Sequence, residues 1–166
     1  MFGMSLNTIE ENAKQNIKYG IANNKNILSI QKINLHQEII EADDKFSNLN
    51  NNLVYYKYID PKDRIIIFGH SGIGYGTYFN RIDELETGDI AYLYLKSGTF
   101  KYKVRSTYLI SKYDVYILEN KRNNGDLLLI TCYKKDKNKR YVVEMALNTW
   151  KISKKCNFYS KNTCIL

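Results

Sequence analysis

Residues 127–133 read Leu-Leu-Leu-Ile-Thr-Cys-Tyr, residues 134–139 read Lys-Lys-Asp-Lys-Asn-Lys, and residues 140–147 read Arg-Tyr-Val-Val-Glu-Met-Ala-Leu. Two short apolar runs bounded by polar residues are the pattern of strands rather than buried helices. The lysine-rich hexapeptide between them reads as a solvated hairpin tip. An antiparallel hairpin of this kind necessarily brings Cys132, at the end of one strand, close to Arg140, at the start of the next.

The same punctuation recurs upstream. Ile90 to Leu95, Phe100 to Ser111 and Val115 to Leu118 read as strands, with a turn at Ser97-Gly98 between the first two and a turn at Asn123-Asn124-Gly125 between the third and Leu127. Arg64-Ile65-Ile66-Ile67-Phe68 is a continuous β-branched run, as expected of a strand buried on both faces. A turn at Asp60-Pro61-Lys62-Asp63 precedes it, and it ends at Gly69-His70-Ser71-Gly72. Tyr78, Phe79, Ile82 and Leu85 mark a short helix stopping at Gly88. Further upstream come a strand from Ile27 to about Leu35, a short strand at Ile39-Ile40, a polar connection from Asp43 to Asn52 and an aromatic stretch from Leu53 to Ile59. Residues 5–20 carry Leu6, Ile9, Ala13 and Ile17 at helical spacing, with Thr8 and Glu11 placed for a capping box and Gly20 for a stop. Hairpin spacing without β-helix-β alternation predicts a mainly β protein. The expected form is a closed or nearly closed, mainly antiparallel barrel with an N-terminal helix and a short helix after the histidine strand. The expected organisation is residues 1–26 as helix and lead-in, 27–149 as barrel and 150–166 as a basic, weakly patterned tail.

Composition sets the outer bounds. The 166 residues suffice for one domain with a real core, and 44% hydrophobic with 25% charged residues argues against disorder. Fifteen tyrosines and a single proline, Pro61, favour strands. A net charge of +8 suits nucleic acid, an anionic membrane or an acidic cell wall, and charge alone does not choose among them. No run of about 18 apolar residues is present. The start, Met1-Phe2-Gly3-Met4, lacks the features of a signal peptide, so an anchor or export segment is expected to lie outside this sequence. Cys132, Cys156 and Cys164 have no metal-ligand spacing. Their odd number leaves at least one thiol free in a monomer, and Cys156 with Cys164 can pair.

His70, Cys132 and Arg140 each fall at a strand end beside a turn, where side chains converge on one rim of a barrel. Singly, each has a plainer reading: a surface histidine, a small hydrophobe in a strand, a solvated arginine. Jointly they resemble the sortase family. Leu128-Leu129-Ile130-Thr131-Cys132 is similar to its Thr-Leu-x-Thr-Cys signature, with leucine in place of the first threonine. Ile67-Phe68-Gly69-His70-Ser71-Gly72 resembles its histidine segment, and Asn80 to Asp89 the short helix and Gly-Asp turn that follow. Ile30 to Leu35 resembles its first strand, with Gln31 where proline is common. The glycines 72, 74 and 76 lack the lysine of a phosphate-binding loop, and the histidine segment accounts for them better.

The resemblance implies that the barrel has eight strands and that the protein is a cysteine transpeptidase at the outer face of the cell membrane, anchored in the full-length protein. Cys132 would attack the scissile carbonyl of an Leu-Pro-x-Thr-Gly-like sorting signal in a surface protein. His70 would supply the proton to the leaving amine, and Arg140 would hold the substrate and the oxyanion. Thr131, Ser71, Tyr133 and Ile130 are the expected substrate contacts. The implied partners are the sorting-signal peptide, an amine acceptor such as a peptidoglycan precursor or a pilin lysine, and the membrane through its anchor, with no nucleic acid. No cofactor is expected. Some sortases bind calcium, for which Asp83, Glu84, Glu86 and Asp89 are candidates beside the reading of a solvated helix face. Lys62 follows Asp60-Pro61 where pilin-type members carry an aromatic lid residue, so no lid is expected. The 62 residues from His70 to Cys132 leave little room for a long helical insertion, which favours a housekeeping-like or small specialised class. Two rival readings remain. A basic barrel would bind single-stranded nucleic acid through lysines and tyrosines and tolerate loss of Cys132, and a catalytically silent barrel would only recruit partners.

Overall fold

The structure, a computed structural model, describes residues 6–57, 59–119 and 125–151. Helix α1 (Leu6–Ala22) leads into β1 (Asn26–Ile30), β2 (Leu35–Glu41), β3 (Leu53–Tyr55), β4 (Ile65–Phe68), β5 (Ile90–Leu95), β6 (Gly98–Ser111), the short helix α2 (Tyr116–Glu119), β7 (Asp126–Cys132) and β8 (Lys139–Lys151). The eight strands close into a barrel in the order β1-β2-β3-β4-β7-β8-β6-β5. Six of the eight pairings are antiparallel. The β2–β3 and β4–β7 pairings are parallel, an arrangement that hairpin spacing alone does not reveal. Among the described residues no helix is long and apolar enough to cross a membrane.

Alternation along the strands sorts the apolar residues into two layers. Leu28, Ile30, Leu53, Ile65, Ile67, Leu93, Tyr102, Leu127, Leu129, Val143 and Met145 fill the barrel, while Phe79, Ile82 and Leu85 join the same core. Ile66, Leu128, Ile130 and Val142 form a second buried cluster on the outer face, backed by Tyr56, Phe68, Tyr108, Ile110, Ile117 and Leu118. The isoleucine run of β4 is thus buried on both faces, as its unbroken apolar sequence implies.

Several boundaries differ from the sequence expectation, each for a local reason. The strand from Ile27 does not continue to Leu35. It folds back at a 3-10 turn, Gln31–Ile33, with Asn34 in the left-handed region at φ 53°, so that Ile30 pairs with Leu35 in a hairpin. Gly20 does not end α1. It lies buried against β1, where a Cβ would come within 2.0 Å of Ile27 Cδ1, and the helix runs on to Ala22, followed by Asn24 in the left-handed region at φ 56°. Because α1 begins at Leu6, Thr8 sits inside its first turn and is not an N-cap. The helix expected from Tyr78 contracts to a 3-10 turn, Ile82–Glu84. Val115–Leu118 is no strand, because β6 pairs directly with β8 and leaves no ladder for it. The chain turns into α2, with the Tyr116 N–H donating to Asp114 Oδ1 at 3.2 Å. Strand β8 runs on to Lys151, pairing Trp150 with Phe100, so the first residues expected in the tail belong to the barrel. Asn123, Asn124, Cys156 and Cys164, with the turn and the pairing expected of them, lie outside the described residues.

At the end of β4 and β7 away from Cys132, charge is buried with partners. Asp126 Oδ1 accepts from Arg105 Nη2 at 3.2 Å, and Arg64 Nη2 lies 3.8 Å from Asp126 Oδ2. Glu144 accepts from Arg105 Nη1 at 3.1 Å and from the Tyr108 hydroxyl at 3.2 Å. Burial, then the Glu144 charge, pushes the Tyr108 phenol up to about 12. The fold favours the neutral phenol, so this contribution is complete below the ordinary tyrosine value of about 10 and is lost as pH rises through the raised one. Urea unfolding is therefore expected to show stability falling between about pH 10 and 12. In Tyr108→Phe that fall is expected to be smaller, and equal slopes in the two proteins would contradict the assignment.

Candidate active site

The parallel register of β4 and β7 ends with Phe68 opposite Ile130. Three hydrogen bonds carry the alignment one step further. The Gly69 N–H donates to the Ile130 carbonyl at 3.2 Å, Thr131 Oγ1 donates to the Gly69 carbonyl at 2.7 Å, and Ser71 Oγ donates to the Cys132 carbonyl at 2.9 Å. The segment bearing His70 is thereby stitched to the end of the strand bearing Cys132. On the other side of β7, Cys132 stands opposite Arg140 in the β7–β8 ladder, and the Tyr133 N–H closes the turn on the Lys139 carbonyl at 3.1 Å. By alternation, Cys132 continues the row of Leu128 and Ile130, and Arg140 that of Val142. The site thus forms where the outer apolar cluster runs out.

Cys132 is exposed, and His70 and Arg140 are half-buried. Among the described residues no hydrogen bond joins the His70 ring to the thiol. Arg140 Nη1 donates to the carbonyls of Lys137 and Lys139 at 3.2 and 3.1 Å, which fixes the guanidinium on the β7–β8 turn. These are its hydrogen bonds among the described residues, and the other donors of its fork face no protein acceptor there. The histidine segment is held from behind as well: the Phe79 N–H donates to the His70 carbonyl at 2.9 Å and the Gly72 N–H to Asn80 Oδ1 at 3.2 Å.

A shallow groove beside the thiol is lined by Ser71, Phe79, Asp83, Tyr133, Lys134 and Tyr141, with Thr131 at its floor. The Tyr133 and Tyr141 rings stack with centroids 6.5 Å apart. Of the residues singled out in the sequence, Ser71 and Tyr133 therefore border the groove. Thr131 is buried with its hydroxyl engaged, and Ile130 is buried in the outer cluster. The four carboxylates considered for calcium are each drawn to a cation: Asp83 to Lys134 at 3.1 Å, Glu84 to Arg81 at 2.7 Å, and Glu86 and Asp89 to Lys32 at 3.1 and 2.8 Å. The Arg81 hydrogen bond holds the Glu84 carboxyl below its usual range. Among the described residues no three acidic, histidine or cysteine side chains converge as a cation site requires. Sequence reasoning had no sign of Asn80 or Tyr141 here, and it offered Asp83 as a calcium candidate and Lys134 as part of a solvated hairpin tip. The one available signal was that Lys134 lies only two residues beyond Cys132, in the turn that follows β7.

A closed mixed barrel that brings Cys132, Arg140 and the segment bearing His70 to one rim defines a narrow class. The family described as Sortase domain matches residues 28–148, and the chain belongs to the sortase family. It is 36% identical over 110 residues to Sortase D of Bacillus subtilis (strain 168), a match spanning 64% of this chain and 53% of that relative's length. Its fold is shared with sortase A of Listeria monocytogenes, at TM-score 0.69 and 20% identity, over 78% of this chain and 90% of that one. The Sortase D5 transpeptidase of Clostridium perfringens superposes at TM-score 0.66 and 20% identity, over 85% and 99% of the two chains. Sortase E1 of Streptomyces coelicolor, solved with a tripeptide in the active site, gives TM-score 0.64 and 20% identity, over 78% and 90%.

Gly69 is the tightest point of this assembly. A Cβ there would meet Leu53 Cδ2 at 2.5 Å and Phe79 Cδ2 and Cγ at 2.7 and 2.8 Å, and both neighbours are fully buried. Gly69→Ala is expected to cost about 1–3 kcal/mol by overpacking, lowering the melting temperature by about 2–4 °C for each kcal/mol lost. An unchanged thermal melt followed by circular dichroism would refute this.

Proposed function

We propose that the chain is a cysteine transpeptidase that cleaves a sorting signal in a surface protein and passes the acyl fragment to an amine. The observation that carries this reading is the exposed Cys132 thiol at a groove, on the strand to which the His70 segment is stitched and opposite Arg140. A thiol with an ordinary pKa of about 8.5 is mostly protonated at neutral pH, so the nucleophile needs an imidazolium beside it. Cys132 attacks the scissile carbonyl. The C–N bond breaks as His70 gives its proton to the departing amine, leaving a thioacyl enzyme. The reverse proton movement lets an incoming amine release the acyl group and restore the thiolate. Arg140, anchored by Nη1 to the turn, holds the substrate backbone and the developing oxyanion with its remaining donors. Hydrogen bonds between base and nucleophile commonly tighten only once substrate is in place, so their absence from the resting geometry does not count against the pair.

The signal is read as Leu-Pro-x-Thr-Gly-like and the acceptor as a cell-wall precursor or a pilin lysine. The site of action is read as the outer face of the cell membrane. The identity to a sortase D favours a small specialised class over one with a long insertion before the cysteine. No step requires a metal.

Incubation with a library of fluorescent sorting-signal peptides, with and without amines, is expected to yield cleaved and amine-coupled products by mass spectrometry. Cys132→Ala abolishes both while keeping the circular dichroism spectrum, and His70→Ala lowers the rate by about 10²–10⁴. A thiol-alkylating reagent labels Cys132 faster than Cys156 or Cys164. Cleavage that survives Cys132→Ala, or equal labelling of the three thiols, would sink the reading.

A further inference from the structure

Lys134 lies two residues beyond Cys132, in the turn that follows β7, and lines the same groove. Its Nζ is 3.1 Å from both Asp83 carboxylate oxygens and also donates to the main-chain carbonyl of Asn80. The ammonium group therefore sits in a receptor made of one carboxylate and one carbonyl, and Asp83, Lys134 and Cys132 all line the same groove. The receptor is firmly built. Asp83 belongs to the 3-10 turn that joins the barrel core through Ile82, and Asn80 is fixed by the Gly72 N–H. Its occupant is held loosely, because Lys134 is 44% and Asp83 46% exposed, and an exposed ion pair of this kind contributes little to stability. Any other primary ammonium on a flexible unbranched stem can make the same contacts.

We infer that Asp83 and the Asn80 carbonyl form the subsite for the acceptor amine, and that Lys134 is an exchangeable placeholder that occupies it between turnovers. The inference rests on the transpeptidase reading and assigns the substrate class of its second half-reaction: an alkylammonium of the lysine side-chain type. An arriving ammonium displaces Lys134 and is concentrated beside the thioacyl group. One of its protons leaves to solvent, giving the neutral amine. As the amine nitrogen bonds to the acyl carbon, the C–S bond breaks, sulfur departs as thiolate, and a second proton passes to His70. The products are an amide and the resting thiolate–imidazolium pair. When Lys134 holds the receptor, a smaller fraction of enzyme binds the acceptor and its apparent affinity falls in proportion.

The test is the ratio of coupled to hydrolysed product as a function of Nα-acetyl-lysine amide concentration, with one cleavable signal peptide. It compares the wild type, Asp83→Asn and Lys134→Gln, and the thermal melt of each is recorded. Asp83→Asn is expected to raise the half-saturating amine concentration roughly tenfold, the order of effect of losing one charge-assisted hydrogen bond. Lys134→Gln is expected to lower it several-fold. The two signs carry the decision, because both substitutions break the same ion pair. If the pair merely braces the groove, they shift the amine dependence in the same direction. That result, or no shift in either variant, overturns the amine subsite and leaves the thiol chemistry standing. Failure of the wild type to exceed Cys132→Ala in cleavage overturns both.

Discussion

Two strands that are distant in sequence lie side by side and point the same way, and the site hangs on that pairing. β4 and β7 run parallel, so their last residues arrive together at one edge of the barrel. Had they paired antiparallel, the histidine segment would leave the sheet at the end where Asp126 lies, a strand length from the thiol. The parallel ladder stops at Phe68 and Ile130, and three hydrogen bonds extend it through Gly69, Thr131, Ser71 and Cys132. Those bonds use backbone carbonyls and short hydroxyl side chains, which leaves the imidazole and the sulfur unclaimed. Such an arrangement suits groups that must exchange protons rather than hold one fixed partner.

The two apolar layers explain why this edge is rigid and why it is open. Ile65 and Ile67 on β4, with Leu127 and Leu129 on β7, lock the strands from inside. Ile66, Leu128, Ile130 and Val142 lock them from outside. At the opposite end the same strands carry Arg64 and Asp126, whose buried charges are tolerated only because Arg105 and Glu144 complete the network. The strands are thus fixed by packing in the middle and by charge at one end. The remaining end carries less cover, and the polar groups of the groove collect there.

Much of this was legible in the sequence where local patterning decides the outcome. The hairpin of Leu127–Cys132 with Arg140–Leu147 follows from two apolar runs and a polar turn, and it delivers Cys132 opposite Arg140 as read. The two-sided burial of Ile65 to Ile67 follows from an unbroken β-branched run. Elsewhere tertiary packing outweighed local signals. Gly20 has the look of a helix stop, yet its lack of a side chain is used to bring α1 onto Ile27. Val115 to Leu118 has strand composition, yet no neighbouring strand was left to pair with it. The Asp83–Lys134 bridge joins residues 51 positions apart and leaves no trace in periodicity.

The two approaches to the sulfur also differ in how much chain must be gathered to make them. Arg140 follows Cys132 by eight residues across a single turn, whereas His70 precedes it by sixty-two, with β5 and β6 inserted between. Short loops close at small entropic cost, and long ones only once later contacts reward them. A chain that has formed the β7–β8 hairpin alone holds Cys132 opposite Arg140 but lacks the segment that bears His70. Bringing the His70 segment to Cys132 therefore requires the whole barrel, and a fragment that has folded only its C-terminal strands holds the cysteine without it.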